Sequence, residues 1–539
     1  MKNTPFFFTV TGLLFGTVFD MSAQRESQKP NILILTADDL GWNDISSPYS
    51  TNGNGSRNHQ TPNIDRLMKQ GMSFTCAYSQ QNSAPTRAAM LTGQYANRSG
   101  VYNVTSLSRY GNKKKGGITK EKARIVPPKQ LGTINSETVT FAEMLTRNGY
   151  ETYIFGKVHG WKGNLKEEHG FGHDFSCSKT VNQKGEKLSN YLAYKESDGN
   201  WIFDNPVYNK YAQPYTKGYI ENNLLKVANG NDPFKLVGTP KHFTDAIGDC
   251  VVEQIAKADR SKPMCMWVCF HAIHSAIVGR EDLYDKYKKR TSLDTRHTDF
   301  KYAALTEQMD QTVGRILAAL DDPNGDGDTS DSMSDHTIVF FMSDNGGVGE
   351  QHDNAPLRGA KGMFYEGGIR IPLVVRYQKV IPSGSVSEVP VHVIDYYPTL
   401  AELTSSRIPD KKEHVLDGVS FVSLLKGEQK DLKREALYWH FPGYMDNRQV
   451  PTSMINKRIG DKRYKLKYSY ETEKYELYCL TDDISETRNL LEGDGEKKNL
   501  LIAIELREDL CRWLKSNPPM QMHYSDSGEE VGIPRELRL

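Results

Sequence analysis

The sequence predicts an α/β fold: a large mixed, mostly parallel sheet sandwiched by helices, with a smaller C-terminal α+β domain behind it. Three observations carry this. Apolar runs at Asn31–Ala37, Met264–Phe270 and His336–Met342 each end in polar residues, as buried parallel strands do when their C-terminal tips hold ligand groups. Between them, His242–Ala258 and Tyr302–Leu320 repeat apolar residues at helical spacing. After about Ser406 the pattern changes to short runs that suit an antiparallel sheet. The 539 residues therefore divide into a leader at 1–23, a large domain at 24–405 with a polar insertion at 160–241, and the smaller domain at 406–539.

The leader has Lys2, an apolar run from Phe6 to Phe19 and a small-residue end at Ser22-Ala23. That is the pattern of a secretory signal peptide, and its apolar run is too short to span a membrane comfortably. An N-terminal anchor is the alternative reading. No Cys follows the run, which argues against a lipoprotein. The expectation is export across the inner membrane into the periplasm, with no membrane span in the mature chain. Lys and Arg total 68 against 67 Asp and Glu, so there is no general electrostatic case for nucleic acid or an anionic membrane. The seven cysteines show no zinc-type spacing, and a disulfide scaffold is not indicated.

In chain order, the first strand ends in Asp38-Asp39-Leu40-Gly41, two carboxylates at a tip, although a turn and helix cap is the plainer reading of such a pair. Thr61–Leu67 starts a helix and Gly71–Phe74 leads back to the sheet. Gln81 to Gly93 then reads as a reactive hydroxyl held at a helix start. Ser83 is followed by Pro85 in the first turn, by Arg87, and by an apolar run closed by Thr92-Gly93. Free N–H groups and the positive dipole end favour an anion there, and Arg87 adds fixed charge. Taken alone, the same five residues also suit an ordinary capped helix.

Thr140–Leu145 is a helix ending at Asn148-Gly149, and Tyr150–Phe155 runs to Gly156, Lys157 and His159. Lys157 and His159 stand on alternate positions, so both can project the same way from an extended strand end. Residues 160–241 are rich in Tyr, Asn, Lys and Gly and are expected to lie over the site, where loops carry specificity. Met264–Phe270 ends in His271-Ala272-Ile273-His274. Asp321–Asp328 mimics the start of a calcium loop, but the twelfth position from Asp322 is Met333, where an EF-hand requires Glu; it reads as a polar turn. The next strand ends in Ser343-Asp344-Asn345-Gly346, and Leu357–Gly362, Glu366–Pro372 and Val393–Leu400 complete the large domain. Beyond it, Ala436–His440, Ser453–Ile459 and Tyr464–Tyr468 read as strands and Leu500–Leu514 as a packing helix.

The stretch from Ser83 to Gly93 resembles the signature of the type I sulfatases, Cys or Ser-x-Pro-x-Arg with a Leu-Thr-Gly-like close. It departs at Gln81 and Asn82, where small and apolar residues are usual. Gly149 to His159 resembles the second sulfatase signature, and Ser343–Gly346 with Lys361-Gly362 through Pro372 continues the likeness. His271–His274 stands where the family reads Asn-Ala-Pro-His, so His274 is the match and His271 the structural residue, with Ile273 in place of Pro. The resemblance covers nearly the whole mature chain.

It implies an alkaline phosphatase-like fold and a nucleophile, formylglycine (3-oxoalanine), made from Ser83 after synthesis. Asp38, Asp39, Asp344 and Asn345 are the implied metal ligands. Oxygen-only ligation argues for calcium or magnesium over zinc, and the resemblance favours Ca2+ over Mg2+. By the same likeness Arg87 and Lys157 hold the formylglycine, while Lys361 and His274 hold the sulfate, with His274 as general acid. His159 then helps to expel sulfate and regenerate the aldehyde. A serine at the modified position resembles bacterial enzymes matured by an anaerobic radical-type sulfatase-maturing enzyme, which implies that partner. The export signal and the polar insertion suggest a sulfated carbohydrate, such as a glycosaminoglycan, mucin or algal glycan. Trp439-His440-Phe441-Pro442 is expected to reach over the pocket so that His440 contacts the sugar, the plainer reading being that His440 ends an edge strand.

Two other classes compete. A phosphatase or phosphodiesterase of the same superfamily would use Ser83 unmodified and bring zinc ligands rich in His and Asp, which the hard-ligand set and the Lys157–His159 pair argue against. A non-catalytic sulfated-glycan-binding protein would have lost Ser83, Arg87 or a metal ligand, and all are present.

Overall fold

The computed structural model describes residues 1, 29–159, 165–177, 191–349, 353–492 and 496–537. The leader expected at 1–23 thus lies, Met1 apart, outside the described residues, as do 160–164 and 178–190 of the insertion. Among the described residues the main sheet has nine strands: Asn31–Ala37 (β1), Met72–Tyr78 (β2), Glu151–Lys157 (β3), His173–Cys177 (β4), Met264–Cys269 (β5), Thr337–Ser343 (β6), Arg370–Arg376 (β7), Ser385–Ser387 (β8) and Val391–His392 (β9). Their order is β8-β2-β7-β6-β1-β5-β3-β4, with β9 also on β2. From β6 to β4 every neighbour is parallel, whereas β7 is antiparallel to both β6 and β2. The mixed, mostly parallel sheet is the architecture expected.

β1 is central and wholly buried. Its alternate residues feed two cores, because successive side chains of a strand point to opposite faces. Ile32 and Ile34 join Trp267, Phe340, Phe141 and Leu91 on one face. Leu33 and Leu35 join Val268, Phe341, Ile247 and Met309 on the other. The second face is covered by helices Pro62–Gln70 (α1), Phe243–Lys257 (α4) and Phe300–Asp321 (α5). The first is covered by Ser83–Thr92 (α2), Phe141–Arg147 (α3) and Tyr396–Leu403 (α6). Each fully buried Leu, Ile or Phe contributes about 1.5–3 kcal/mol relative to exposure.

The smaller sheet is antiparallel in the order Ala436–Phe441 (β10), Thr452–Ile459 (β11), Lys462–Ser469 (β12) and Lys474–Cys479 (β13), with helix Glu496–Ser516 (α7) packed on β11. Ile455, Leu466, Leu506 and Leu510 belong to the same apolar cluster as Ile32 and Trp267, so one core runs through both domains. Two short ribbons stitch them further: Ser108–Arg109 pairs with Tyr444–Met445, and Ile125–Val126 with His523–Tyr524.

One part of the organisation departs from the sequence reading. β4 falls inside the stretch expected to be an insertion, yet it is the edge strand of the main sheet. It carries no apolar run because its first residues, His173 and Asp174, are exposed. Residues 191–241 pack against α4 and the His271–His274 turn: Tyr191 Oη lies 2.7 Å from the carbonyl of His271 and 2.8 Å from that of His274. The Asp321–Asp328 stretch is an exposed turn after α5. All seven cysteines are free and buried, and among the described residues no helix is long and apolar enough to cross a membrane.

Candidate active site

The in-register pairing of β1 with β6 sets Ala37 opposite Ser343. Asp38-Asp39 and Asp344-Asn345, far apart in the chain, therefore emerge side by side. The Asp344 amide donates to the Ala37 carbonyl at 3.1 Å, and the Asp38 amide to that of Ala272 at 2.8 Å. Asp39 takes a left-handed backbone, φ 67°, which turns its carboxylate back over the same point. Its N–H donates to Asp344 Oδ1 at 3.3 Å, and its Oδ1 accepts from Asn345 Nδ2 at 2.8 Å.

α2 enters this cluster by its N-terminus. Ser83 is its first residue, and every residue of the helix is buried. Ser83 Oγ stands 3.2 Å from Asp38 Oδ1 and 3.4 Å from Asn345 Oδ1. One turn on, Arg87 donates from Nε and a terminal nitrogen to Asp344 Oδ2 at 3.1 and 2.8 Å, and from its other terminal nitrogen to the Lys157 carbonyl at 3.1 Å. Gly93, at φ 65°, closes the helix by donating to the Ala89 carbonyl. Gln81 and Asn82, the departures from the family pattern, are tethers: Gln81 Nε2 donates to the Tyr102 carbonyl at 2.9 Å and Asn82 Nδ2 to Asn103 Oδ1 at 2.6 Å.

β3 delivers Lys157, whose ammonium pairs with Asp38 Oδ2. Gly156 is required just before it. At φ 72°, a Cβ there would lie 2.1 Å from the carbonyl oxygen of Cys269, so only glycine lets β3 approach β5 this closely. Lys361 Nζ reaches Asp39 Oδ1 at 2.5 Å, and His274 Nε2 stands 3.9 Å from Asp39 Oδ2. Asp38, Asp344 and Asn345 are fully buried, whereas the His274 side chain is 31% exposed. The mouth of the site is therefore on the His274 side.

The charges are strongly linked. Burial alone would raise the Asp38 carboxyl, but Lys157, His274, Arg87 and Lys361 hold it well below the usual carboxylate range. Asp344 goes the other way: burial and the neighbouring Asp38 charge push it up, and Arg87 and Lys157 offset only part. Burial opposes the charge on Lys361, yet Asp39, Asp38 and Asp344 outweigh it and raise its pKa. His159 is driven down to about 2 by burial and by Lys157, and is neutral at working pH. Three carboxylates and an amide oxygen crowded at two buried strand tips form a hard donor set that a divalent cation fits.

A layer behind the site was not read from the sequence. Tyr302 Oη lies 3.2 Å from the Asp39 carbonyl and 2.7 Å from Asp44 Oδ2. Asp44 Oδ1 lies 3.9 Å from His59 Nδ1 and 3.6 Å from His297 Nε2, all three residues being buried. His297 Nε2 is also 2.8 Å from the Asp353 carbonyl, so this group braces both Asp39 and the loop before Lys361.

A sequence profile of the sulfatase family matches residues 30–406, and one described as N-sulphoglucosamine sulphohydrolase, C-terminal, matches residues 360–515. The chain belongs to the sulfatase family. It is 44% identical over 544 residues to a protein of Formosa agariphila named Sulfatase, covering 97% of this chain and 96% of that one. Mouse N-acetylgalactosamine-6-sulfatase is 26% identical over 433 residues, 78% of this chain and 71% of its own. The crystal structure of Ps i-CgsB superposes with a TM-score of 0.63 at 25% identity, covering 91% of this sulfatase and 94% of that chain. The sulfatase is accordingly a sulfuric ester hydrolase.

Ser83, Arg87, Lys157, His274, Lys361 and the four oxygen ligands converge in this one place, with His159 beside Lys157. His440 does not. It is a residue of β10, 3% exposed, with Nδ1 2.8 Å from Ser453 Oγ and its ring edge-on to Tyr102 and Tyr470. A ring so enclosed does not reach over the pocket as expected. Trp439 and Phe441 on either side are also buried, which leaves the segment as core of the domain junction. Burial lowers the His440 pKa to about 3. Below about pH 6.5 the unfolded chain takes up a proton there that the folded protein refuses, so stability falls as pH drops. Urea titrations at pH 7 and pH 5 will show a smaller drop for His440→Gln than for the native chain, the difference being on the order of 1–2 kcal/mol. Equal drops would show that the folded ring does take up the proton.

Proposed function

We propose that this sulfatase hydrolyses sulfate monoesters of a sulfated carbohydrate, with a formylglycine made from Ser83 as nucleophile and Ca2+ held by Asp38, Asp39, Asp344 and Asn345. The observation that carries it is Ser83 at a buried helix N-terminus, with its Oγ facing Asp38 and Asn345. Formylglycine supplies a more acidic attacking hydroxyl than serine, and Ca2+ neutralises charge on the sulfate oxygens and the attacking group. Arg87 and Lys157 fix the start of α2 and keep positive charge beside the attacking oxygen. Lys361 and His274, on the open side, orient the sulfate. His274, with Nδ1 engaged on the Ser275 carbonyl at 2.8 Å, presents Nε2 to protonate the leaving oxygen. By the family likeness, His159 helps to expel sulfate and regenerate the aldehyde. Mouse N-acetylgalactosamine-6-sulfatase, a relative named for a sugar sulfate, supports the carbohydrate reading. The leader pattern and the serine at position 83 support export to the periplasm and maturation by an anaerobic radical-type enzyme.

The test is the mass of the tryptic peptide Gln70 to Arg87 from protein made anaerobically with a serine-type maturing enzyme, alongside sulfate release from 4-nitrophenyl sulfate. A peptide lighter by two hydrogens, with sulfate released, is the expected result. An unmodified serine with phosphate-ester cleavage would move the chain to the phosphatase reading. Chelation with EGTA is expected to reduce activity at least about 100-fold and to lower the melting temperature. At calcium 100-fold above its dissociation constant the lost stabilisation is about 2.7 kcal/mol. Calcium will restore both better than magnesium; equal recovery with the two ions would remove the preference for calcium.

A further inference from the structure

The chain as a whole is nearly neutral, at formal net charge +1, but the wall of the site is not. Residues 101–120 contain Arg109, Lys113, Lys114, Lys115 and Lys120 and no Asp or Glu. They run from the loop tethered by Gln81 and Asn82 into a lobe docked on residues 444–449. The docking is specific: Ser108–Arg109 pairs with Tyr444–Met445, the Asn112 amide donates to Asn447 Oδ1 at 2.8 Å, and Asn447 Nδ2 donates to the Lys115 carbonyl at 3.1 Å. The segment 444–449 in turn touches the catalytic machinery. Met445 Sδ lies 4.0 Å from Asn82 Nδ2, and an Arg448 terminal nitrogen lies 3.4 Å from the Lys361 carbonyl.

Arg109 and Arg448 share a single carboxylate oxygen, Oδ2 of Asp446, at 2.5 and 2.8 Å. Two cations on one anion leave an excess positive charge, and all three side chains are about one-third or more exposed. Beyond them Lys113, Lys114 and Lys115 form one exposed turn. A basic strip thus leads outward from Lys361 to an exposed turn. Such a strip, left unneutralised beside a pocket, attracts anionic groups of a bound chain and speeds its capture.

Resting on the sulfatase reading above, we propose that the substrate is a polyanionic oligosaccharide. Further sulfate or carboxylate groups, beside the ester that is cleaved, bind across Arg448, Arg109 and Lys113–Lys115. These residues select the substrate and take no part in the chemistry.

The test uses the matured, calcium-loaded protein. Fluorescein-labelled heparin octasaccharide and its fully desulfated counterpart are the binding probes, and 4-nitrophenyl sulfate reports the chemistry. The native protein is expected to bind the sulfated probe in a salt-dependent manner. The variant Lys113→Gln/Lys114→Gln/Lys115→Gln is expected to weaken that binding at least about tenfold. Its kcat/KM on 4-nitrophenyl sulfate should stay within about twofold of native, since the three stand on an exposed turn and the reacting cluster is buried. Arg448→Gln should likewise weaken binding of the sulfated probe. Unchanged binding in both variants, or equal binding of the sulfated and desulfated probes by the native protein, overturns the proposal. Failure of the native protein to turn over 4-nitrophenyl sulfate would instead sink the sulfatase chemistry, and it is read separately from the binding comparison.

Discussion

Ser83→Ala is expected to abolish sulfate release while leaving the fold intact. The hydroxyl it removes makes two long contacts, 3.2 Å to Asp38 and 3.4 Å to Asn345, and alanine is the best helix former for the first turn of α2. The stability change should therefore be within about 1 kcal/mol. Activity is another matter, because on the mechanism proposed above the nucleophile is made from this side chain. Loss of a nucleophile costs kcat on the order of 10^4-fold or more, the residue being irreplaceable by binding alone. Turnover of 4-nitrophenyl sulfate, with a urea titration of the same sample, checks both halves. A variant retaining a tenth of native kcat would mean that another group, or water, makes the attack.

Arg87→Leu should be the most destabilising single change at the site. The guanidinium has no exposure and holds Asp344, also fully buried, through two nitrogens. Removing it strands a carboxylate that burial and Asp38 already press toward protonation. Breaking a buried pair from one side typically costs about 3–5 kcal/mol, and the urea midpoint measured in EGTA should fall accordingly. The double variant Arg87→Leu/Asp344→Asn should recover part of that loss, because it leaves no unpaired charge. If the double variant is no more stable than the single one, the cost lies in packing around the arginine stem instead.

Much of the site was legible because parallel strands align their tips. Apolar runs ending in Asp38-Asp39 and Asp344-Asn345 announce their own neighbours once the strands are set in register. The helices expected at His242–Ala258 and Tyr302–Leu320 are observed as Phe243–Lys257 and Phe300–Asp321, since apolar spacing over several turns is a strong signal. Less was legible where contacts are made by backbone or by single side chains. The ribbon of Ser108–Arg109 with Tyr444–Met445 is only two residues long, and no periodicity marks it. Tyr302 shows only as one apolar position of α5, and its hydroxyl contact with Asp39 depends on tertiary packing. Trp439–Pro442 reads from the sequence either as a segment over the pocket or as the end of an edge strand, and burial of His440 between Tyr102 and Tyr470 rules out the first. The basic strip was hidden by averaging, because a whole-chain balance of 68 against 67 says nothing of where the charges gather.

The place of β1 in the sheet also sets a clock. Both of its partners, β5 and β6, come from residues beyond Pro263, so a chain emerging from its N-terminus holds this wholly buried strand unpaired through about half of its synthesis. Long-range pairing of this kind is slow and leaves surface open to aggregation. Ser83, 1% exposed once the sheet has closed, is open to solvent during that same delay, and on the formylglycine reading proposed above that is when it would be modified. On that reading, the topology that puts the nascent chain at hazard would also give the tailoring reaction its window.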